Sequence, residues 1–168
     1  MAEHALVIID IQNDYFPGGK MQLEGAEAAA GNAGRALEQF RSKRLPIFHV
    51  RHLSTRPGAT FFIPGTAGVE IHERVRPNSG ERATDLDPAL KAAGVKELVV
   101  AGMMTHMCVD ASVRQVADLG YKVTLLGDAC ATRAQSSGGE SVPARQVHAA
   151  FLAALNGFYA KVIPTHEL

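Results

Sequence analysis

The sequence predicts an α/β fold: a doubly wound, mostly parallel β-sheet with helices on both faces. Three observations predict it. Short apolar runs such as Ala5-Leu6-Val7-Ile8-Ile9 and Leu98-Val99-Val100-Ala101 have the character of strands buried on both faces. Stretches with apolar residues at helical spacing alternate with those runs, as in a parallel sheet wound by crossover helices. The first and third runs end on Asp10 and Gly102, and polar or turn-forming residues follow both. The 168 residues suffice for one domain, 1–168, with its own core. No internal repeat, low-complexity tract or linker divides it.

The first strand, Ala5–Ile9, ends in Asp10 and is followed by Ile11-Gln12-Asn13-Asp14-Tyr15-Phe16-Pro17-Gly18-Gly19. Ligands of an open parallel sheet bind beyond the carboxyl ends of its strands, which is where Asp10 stands. Asp10 is either a functional carboxylate or a loop residue capping a turn; Asp14 is the better candidate for the capping job. Gly25–Lys43 reads as an amphipathic helix, with Ala29, Ala33, Ala36, Leu37 and Phe40 on one side. Ile47–Val50 is the second strand. The stretch from Arg51 to Gly68 is a long loop rich in proline and glycine, and long loops in compact domains are usually functional. Its Phe61 and Phe62 wall a pocket, contact a second subunit or tuck into the core.

Asn78-Ser79-Gly80-Glu81 reads as a polar turn, and Asp85–Gly94 as a short helix with Pro88 in its first turn and Gly94 at its end. The third strand, Leu98–Ala101, breaks at Gly102. Beyond Cys108, Val109, Val113, Val116 and Ala117 recur at helical spacing up to Gly120. Cys108 thus falls in the first turn of a helix, where unpaired N–H groups and the helix dipole favour a thiolate. The opposite reading is a buried, inert cysteine. Lys122–Leu126 is a fourth strand, Gln135–Gly139 a polar loop, Pro143–Asn156 a helix and Ala160–Ile163 the last strand.

Equal numbers of basic and acidic residues argue against nucleic acid or an anionic membrane as partner and leave little charge repulsion against self-association. Two cysteines suggest a reducing compartment. A first strand close to Met1 leaves no room for a signal peptide, and no apolar run reaches membrane-spanning length. The expectation is a cytoplasmic protein acting on a small molecule.

Three segments together resemble the isochorismatase-like cysteine hydrolases, the superfamily that includes nicotinamidases: Val7-Ile8-Ile9-Asp10-Ile11-Gln12-Asn13-Asp14, Val100-Ala101-Gly102-Met103-Met104-Thr105-His106-Met107-Cys108-Val109, and Gly127-Asp128-Ala129-Cys130-Ala131-Thr132. The resemblance runs through most of the chain. It implies an isochorismatase-like, Rossmann-like three-layer fold with Cys108 as nucleophile and Asp10 as its acid/base partner. It also implies a cis peptide between Met103 and Met104, and backbone N–H groups of Met104 and Cys108 that hold the substrate oxyanion. No cofactor is expected, and a homo-oligomer, dimer or tetramer, is. Pocket candidates are Gln12, Phe16, Phe61, Phe62 and His106, the last either touching substrate or only shaping the turn before Met107-Cys108. Cys130 reads as a small packed residue.

Two departures from the family pattern stand out. Its third catalytic residue, a lysine on a strand between the Asp and the Cys, has no counterpart: Glu81 joins directly to Arg82, and roughly a dozen residues are missing there by ordinary strand and loop lengths. Without that cation, Asp10 disfavours a second negative charge on Cys108. The metal-binding Asp-x-His of nicotinamidases is also absent. His49 and His52 point to opposite sides of a strand, His72 is remote and no carboxylate joins them, so no metal is expected. The leading expectation is hydrolysis of a small amide or imide C–N bond. A vinyl-ether hydrolase, a non-catalytic homologue that keeps the pocket, and a thiol redox protein are the alternatives.

Overall fold

The computed structural model describes residues 3–81 and 86–168. Five parallel strands form the main sheet in the order β2-β1-β3-β4-β7, where β1 is His4–Ile9, β2 Ile47–Val50, β3 Glu97–Met103, β4 Lys122–Ala131 and β7 Lys161–Ile163. The central strands β1, β3 and β4 are apolar along most of their length and are covered on both faces. Helix α1 (Ala26–Ser42) lies on one face and turns Ala29, Ala30, Ala33, Ala36, Leu37 and Phe40 towards Leu6, Ile8, Val99 and Ala101. Helices α2 (Leu86–Ala92), α3 (Asp110–Asp118) and α4 (Ala144–Leu155) cover the other, where Leu90, Val113, Val116 and Leu155 meet Val7, Ile9, Val100 and Leu125. The alternation of β1 residues between the two cores follows the two-residue period of a strand. The doubly wound, mostly parallel architecture expected from the sequence is the one present.

Some elements differ from the sequence reading. Strand β4 runs on to Ala131, because its second half pairs with β3 after a register shift: Val100 faces Leu125, but Gly102 faces Cys130. The expected polar loop at Gln135–Gly139 is instead the start of a hairpin, β5 (Gln135–Ser137) with β6 (Glu140–Val142). Gly138 (φ +60°) and Gly139 (φ +85°) supply the positive φ angles that a two-residue hairpin turn needs. Local polarity hid this strand pair, since it is exposed and has no apolar alternation to detect.

Strands β1 and β3 approach closely where the site is built. At Gly102 a Cβ would lie 2.3 Å from the Ile9 carbonyl oxygen, so only glycine fits opposite the end of β1. On the outer edge of β2, the His49 N–H donates to the Glu81 carbonyl (3.2 Å). The Glu81 carboxylate takes both a 3.0 Å and a 2.7 Å hydrogen bond from the Arg41 guanidinium of α1. The polar turn at 78–81 therefore closes against the sheet edge. The Glu81–Arg82 junction, where a lysine-bearing segment would insert, and Asp85 at the start of the short helix lie at or within residues 82–85, outside the described residues. Among the described residues no helix is long and apolar enough to cross a membrane.

Candidate active site

The strand order reverses between β1 and β3, and the carboxyl ends of those two strands carry the reactive groups. Asp10 directly follows β1. Its backbone takes φ +50°, its N–H is fixed by the Val50 carbonyl (3.0 Å), and the residue is only 2% exposed. Beyond β3 the Met103–Met104 peptide is cis, and one π-helical turn, Thr105–Val109, precedes α3. Cys108 sits in that wide turn, partly exposed, and its thiol and the Asp10 carboxyl are hydrogen-bonded.

Electrostatics push both groups away from their ionised forms. Burial raises the Asp10 carboxyl from 3.8 to about 6, against smaller opposing effects from the Cys108 thiol, the charge of His52 and the His52 backbone. The Cys108 thiol is pushed up to about 12, first by burial and then by the Asp10 charge and hydrogen bond. Of the two sequence readings of Cys108, a thiolate favoured by a helix N-terminus and a buried neutral thiol, the electrostatics favour the second. The cause is position: Cys108 lies in the turn before α3, next to a buried carboxylate, and desolvation outweighs the dipole. The resting state near neutral pH is accordingly a carboxylate beside a neutral thiol, a base facing a proton that it can take only as the sulfur attacks.

Cys108 opens into a cavity of about 580 Å³. Tyr15, Phe61, Phe62, Met104 and Met107 give it apolar walls, and His52, Ser54, Thr55 and Arg56 supply charged or polar lining. Phe61 and Phe62 are therefore wall residues, and Phe62 is at the same time fully buried with φ +57°. Asp14 holds it there by accepting the Phe62 N–H (2.6 Å) as well as the Lys20 N–H (3.1 Å), the capping job expected of Asp14.

Three other pocket expectations need correction. Gln12 is fully buried and does not line the cavity. Its side-chain N–H₂ donates to the carbonyls of His52 (2.9 Å) and Val69 (2.7 Å), and its oxygen accepts the His52 N–H (2.8 Å). Phe16 turns away to stack on His72, ring centres 3.7 Å apart. His106 faces Thr132, with 2.5 Å between its Nδ1 and the hydroxyl, and lies edge-on to Phe151, outside the cavity lining. All three follow a strand, where site residues gather, but side-chain direction there depends on turn geometry that no spacing rule encodes.

Sequence reasoning passed over His52, weighing it only as a metal ligand. The imidazole, the Asp10 carboxyl and the Cys108 sulfur have donor atoms all within 4.8 Å of one another, the one such trio among the described residues. The donor set could hold a small cation, although two of its three members already form a thiol–carboxylate pair. The available signal was topological: His52 lies just past the end of β2, the neighbour of β1. Cys130 is buried, with its thiol against the Leu126 carbonyl (3.4 Å), and is packed as expected.

A family model for the isochorismatase domain matches residues 4–167. The chain is 51% identical to the isochorismatase family protein YddQ of Bacillus subtilis, over 96% of each chain. That alignment runs over 172 residues, more than the 168 here, so residues of YddQ have no counterpart in this chain. A streptothricin hydrolase of Streptomyces noursei is 33% identical over 76% of this chain and 49% of its own. A solved isochorismatase-like structure from Oleispira antarctica superimposes with a TM-score of 0.94 at 45% identity, covering 98% of this chain and 95% of that one.

Proposed function

The chain belongs to the isochorismatase family of hydrolases, and from that membership we propose that it is a cysteine hydrolase opening a C–N bond of a small amide or imide through an acyl-enzyme on Cys108. The observation that carries this reading is the hydrogen-bonded Asp10–Cys108 pair, whose Cys108 lines a cavity of about 580 Å³, a volume suited to a small molecule. In the proposed reaction Asp10 takes the thiol proton while a sulfur lone pair forms the C–S bond and the carbonyl π pair moves onto oxygen. The N–H groups of Met104 and Cys108 receive that oxyanion, an interaction usually worth a few kcal/mol. Collapse breaks the C–N bond with its electron pair on nitrogen, which takes the proton from Asp10. Water then gives its proton to Asp10 and attacks the thioester. The sulfur leaves with the C–S pair and recovers the proton. The largely apolar walls favour a substrate with a flat or aliphatic body.

A second reading, a homologue that binds without catalysis, rests on one observation. All six lysines of the chain are exposed and none lines the cavity, so the family's cation is not supplied by a lysine. One experiment tests both. The protein, freed of thiol reductant by buffer exchange, is incubated at pH 7.5 with aldehyde analogues of small carboxamides, which trap a thiol as a reversible hemithioacetal, and iodoacetamide is then added with the analogue still present to follow labelling at Cys108. Protection of Cys108, alongside turnover of a matching amide that is lost in Cys108→Ser, is the expected result. Labelling that no analogue slows, with no amide in a broad panel turned over, overturns the hydrolase reading in favour of the binder.

A further inference from the structure

The negative charge that passes between Asp10 and Cys108 needs a counterpart, and no lysine provides it. Oδ1 of Asp10 is buried and has no hydrogen-bond partner among the described residues. Among the described residues, a ring nitrogen of His52 lies within 4.8 Å of both an Asp10 oxygen and the Cys108 sulfur. The residue is held in that position from two sides. Gln12 grips both its N–H and its carbonyl, and Phe62 packs by its ring at 5.9 Å. Its other side faces the cavity and solvent.

We propose that His52 is the third catalytic residue, its ring N–H or imidazolium offsetting the negative charge that moves between Asp10 and Cys108. The proposal rests on the hydrolase reading. It adds no proton transfer to the sequence of steps: Asp10 still carries the thiol proton to the leaving nitrogen, and His52 ends each turnover in the state in which it began. An opposite charge within a few ångströms lowers the cost of forming a thiolate, commonly by tenfold or more in ionisation.

Among the described residues, other charged groups surround the trio without duplicating it. From the segment after β1 come Asp14 and Tyr15, from the long loop Arg56, and from the end of β4 Arg133. Arg133 is felt by Tyr15 and His106, whereas Asp10 feels the charge of His52 directly. Asp14 is committed to backbone N–H groups, and Tyr15 is kept neutral by burial.

The test needs no substrate. The rate of iodoacetamide labelling at Cys108, which follows the small thiolate fraction, is measured from pH 6 to 10, with Cys108→Ser as blank. The proteins compared are the unaltered chain, His52→Ala, His52→Gln and His52→Lys, each checked for folding by circular dichroism. Labelling of His52→Ala and His52→Gln is expected to slow about tenfold near pH 8, while His52→Lys returns to within about threefold of the unaltered protein. Rates for His52→Ala within twofold of the unaltered protein overturn the proposal. So does full rescue by His52→Gln, which would reduce His52 to a space-filling polar contact. Failure of the hydrolase reading is separate: no amide would be turned over, while Cys108 ionisation still followed residue 52.

Discussion

Replacing Gln12 by Met would expose how much of the site is held by one amide. The exchange keeps an unbranched side chain of similar length and removes three hydrogen bonds, two given by the amide nitrogen at 2.9 and 2.7 Å and one accepted at 2.8 Å. The bond to the Val69 carbonyl is buried, and an orphaned buried carbonyl costs about 1–3 kcal/mol. The two bonds to His52 are part-buried, so water replaces them in part and each contributes about 0.5–1 kcal/mol. Together the loss comes to about 3 kcal/mol. For a domain of this size that lowers Tm by roughly 6–12 °C. Urea and thermal unfolding followed by circular dichroism measure it, with an unchanged urea m-value showing that the unfolded state is unaffected. The same variant should weaken the effect of His52 on Cys108, since the backbone of residue 52 loses both anchors. A loss under 1 kcal/mol with unchanged Cys108 ionisation would refute the account of Gln12 as the residue that holds the long loop against β1.

Asp10→Asn should separate stability from catalysis. A carboxyl raised from 3.8 to about 6 binds its proton more tightly folded than unfolded, so its stabilising contribution is full below pH 4 and is lost as the pH rises through 6. The variant is therefore expected to exceed the unaltered protein by about 3 kcal/mol at pH 8, to match it near pH 3.5, and to lose hydrolysis altogether. Equal stabilities at pH 8 would contradict the burial argument. In the unaltered enzyme kcat/KM should climb with pH through about 6 as Asp10 becomes the base, and a profile flat from pH 5 to 8 would remove Asp10 from that role. Gly102→Ala forces a methyl to 2.3 Å from the Ile9 carbonyl oxygen at φ +154°, and should cost about 3 kcal/mol or more in chemical denaturation. A loss below 1 kcal/mol would mean that β1 and β3 can separate there.

Much of this molecule is written in short-range patterns. Ala5–Ile9 and Leu98–Ala101 are apolar over lengths that only buried strands use, and the alanine-rich face of α1 repeats at helical spacing, so strands, helices and winding follow from local residues. The positions of Asp10 and Cys108 at strand ends were legible for the same reason. Their pairing was not a property of either segment: residues 10 and 108 meet because β1 and β3 lie side by side in one register, with Gly102 letting the backbones close. Tertiary structure alone also decided which polar residues face the cavity. Gln12 was free to point at a ligand by sequence, but folding brings the His52 and Val69 backbones around it, and buried polar groups must be satisfied. His52 itself carried no local signal. What makes it part of the site is long-range: a loop 40 residues from Gln12 is clamped over the end of β1, beside a carboxylate and a thiol supplied by two other strands.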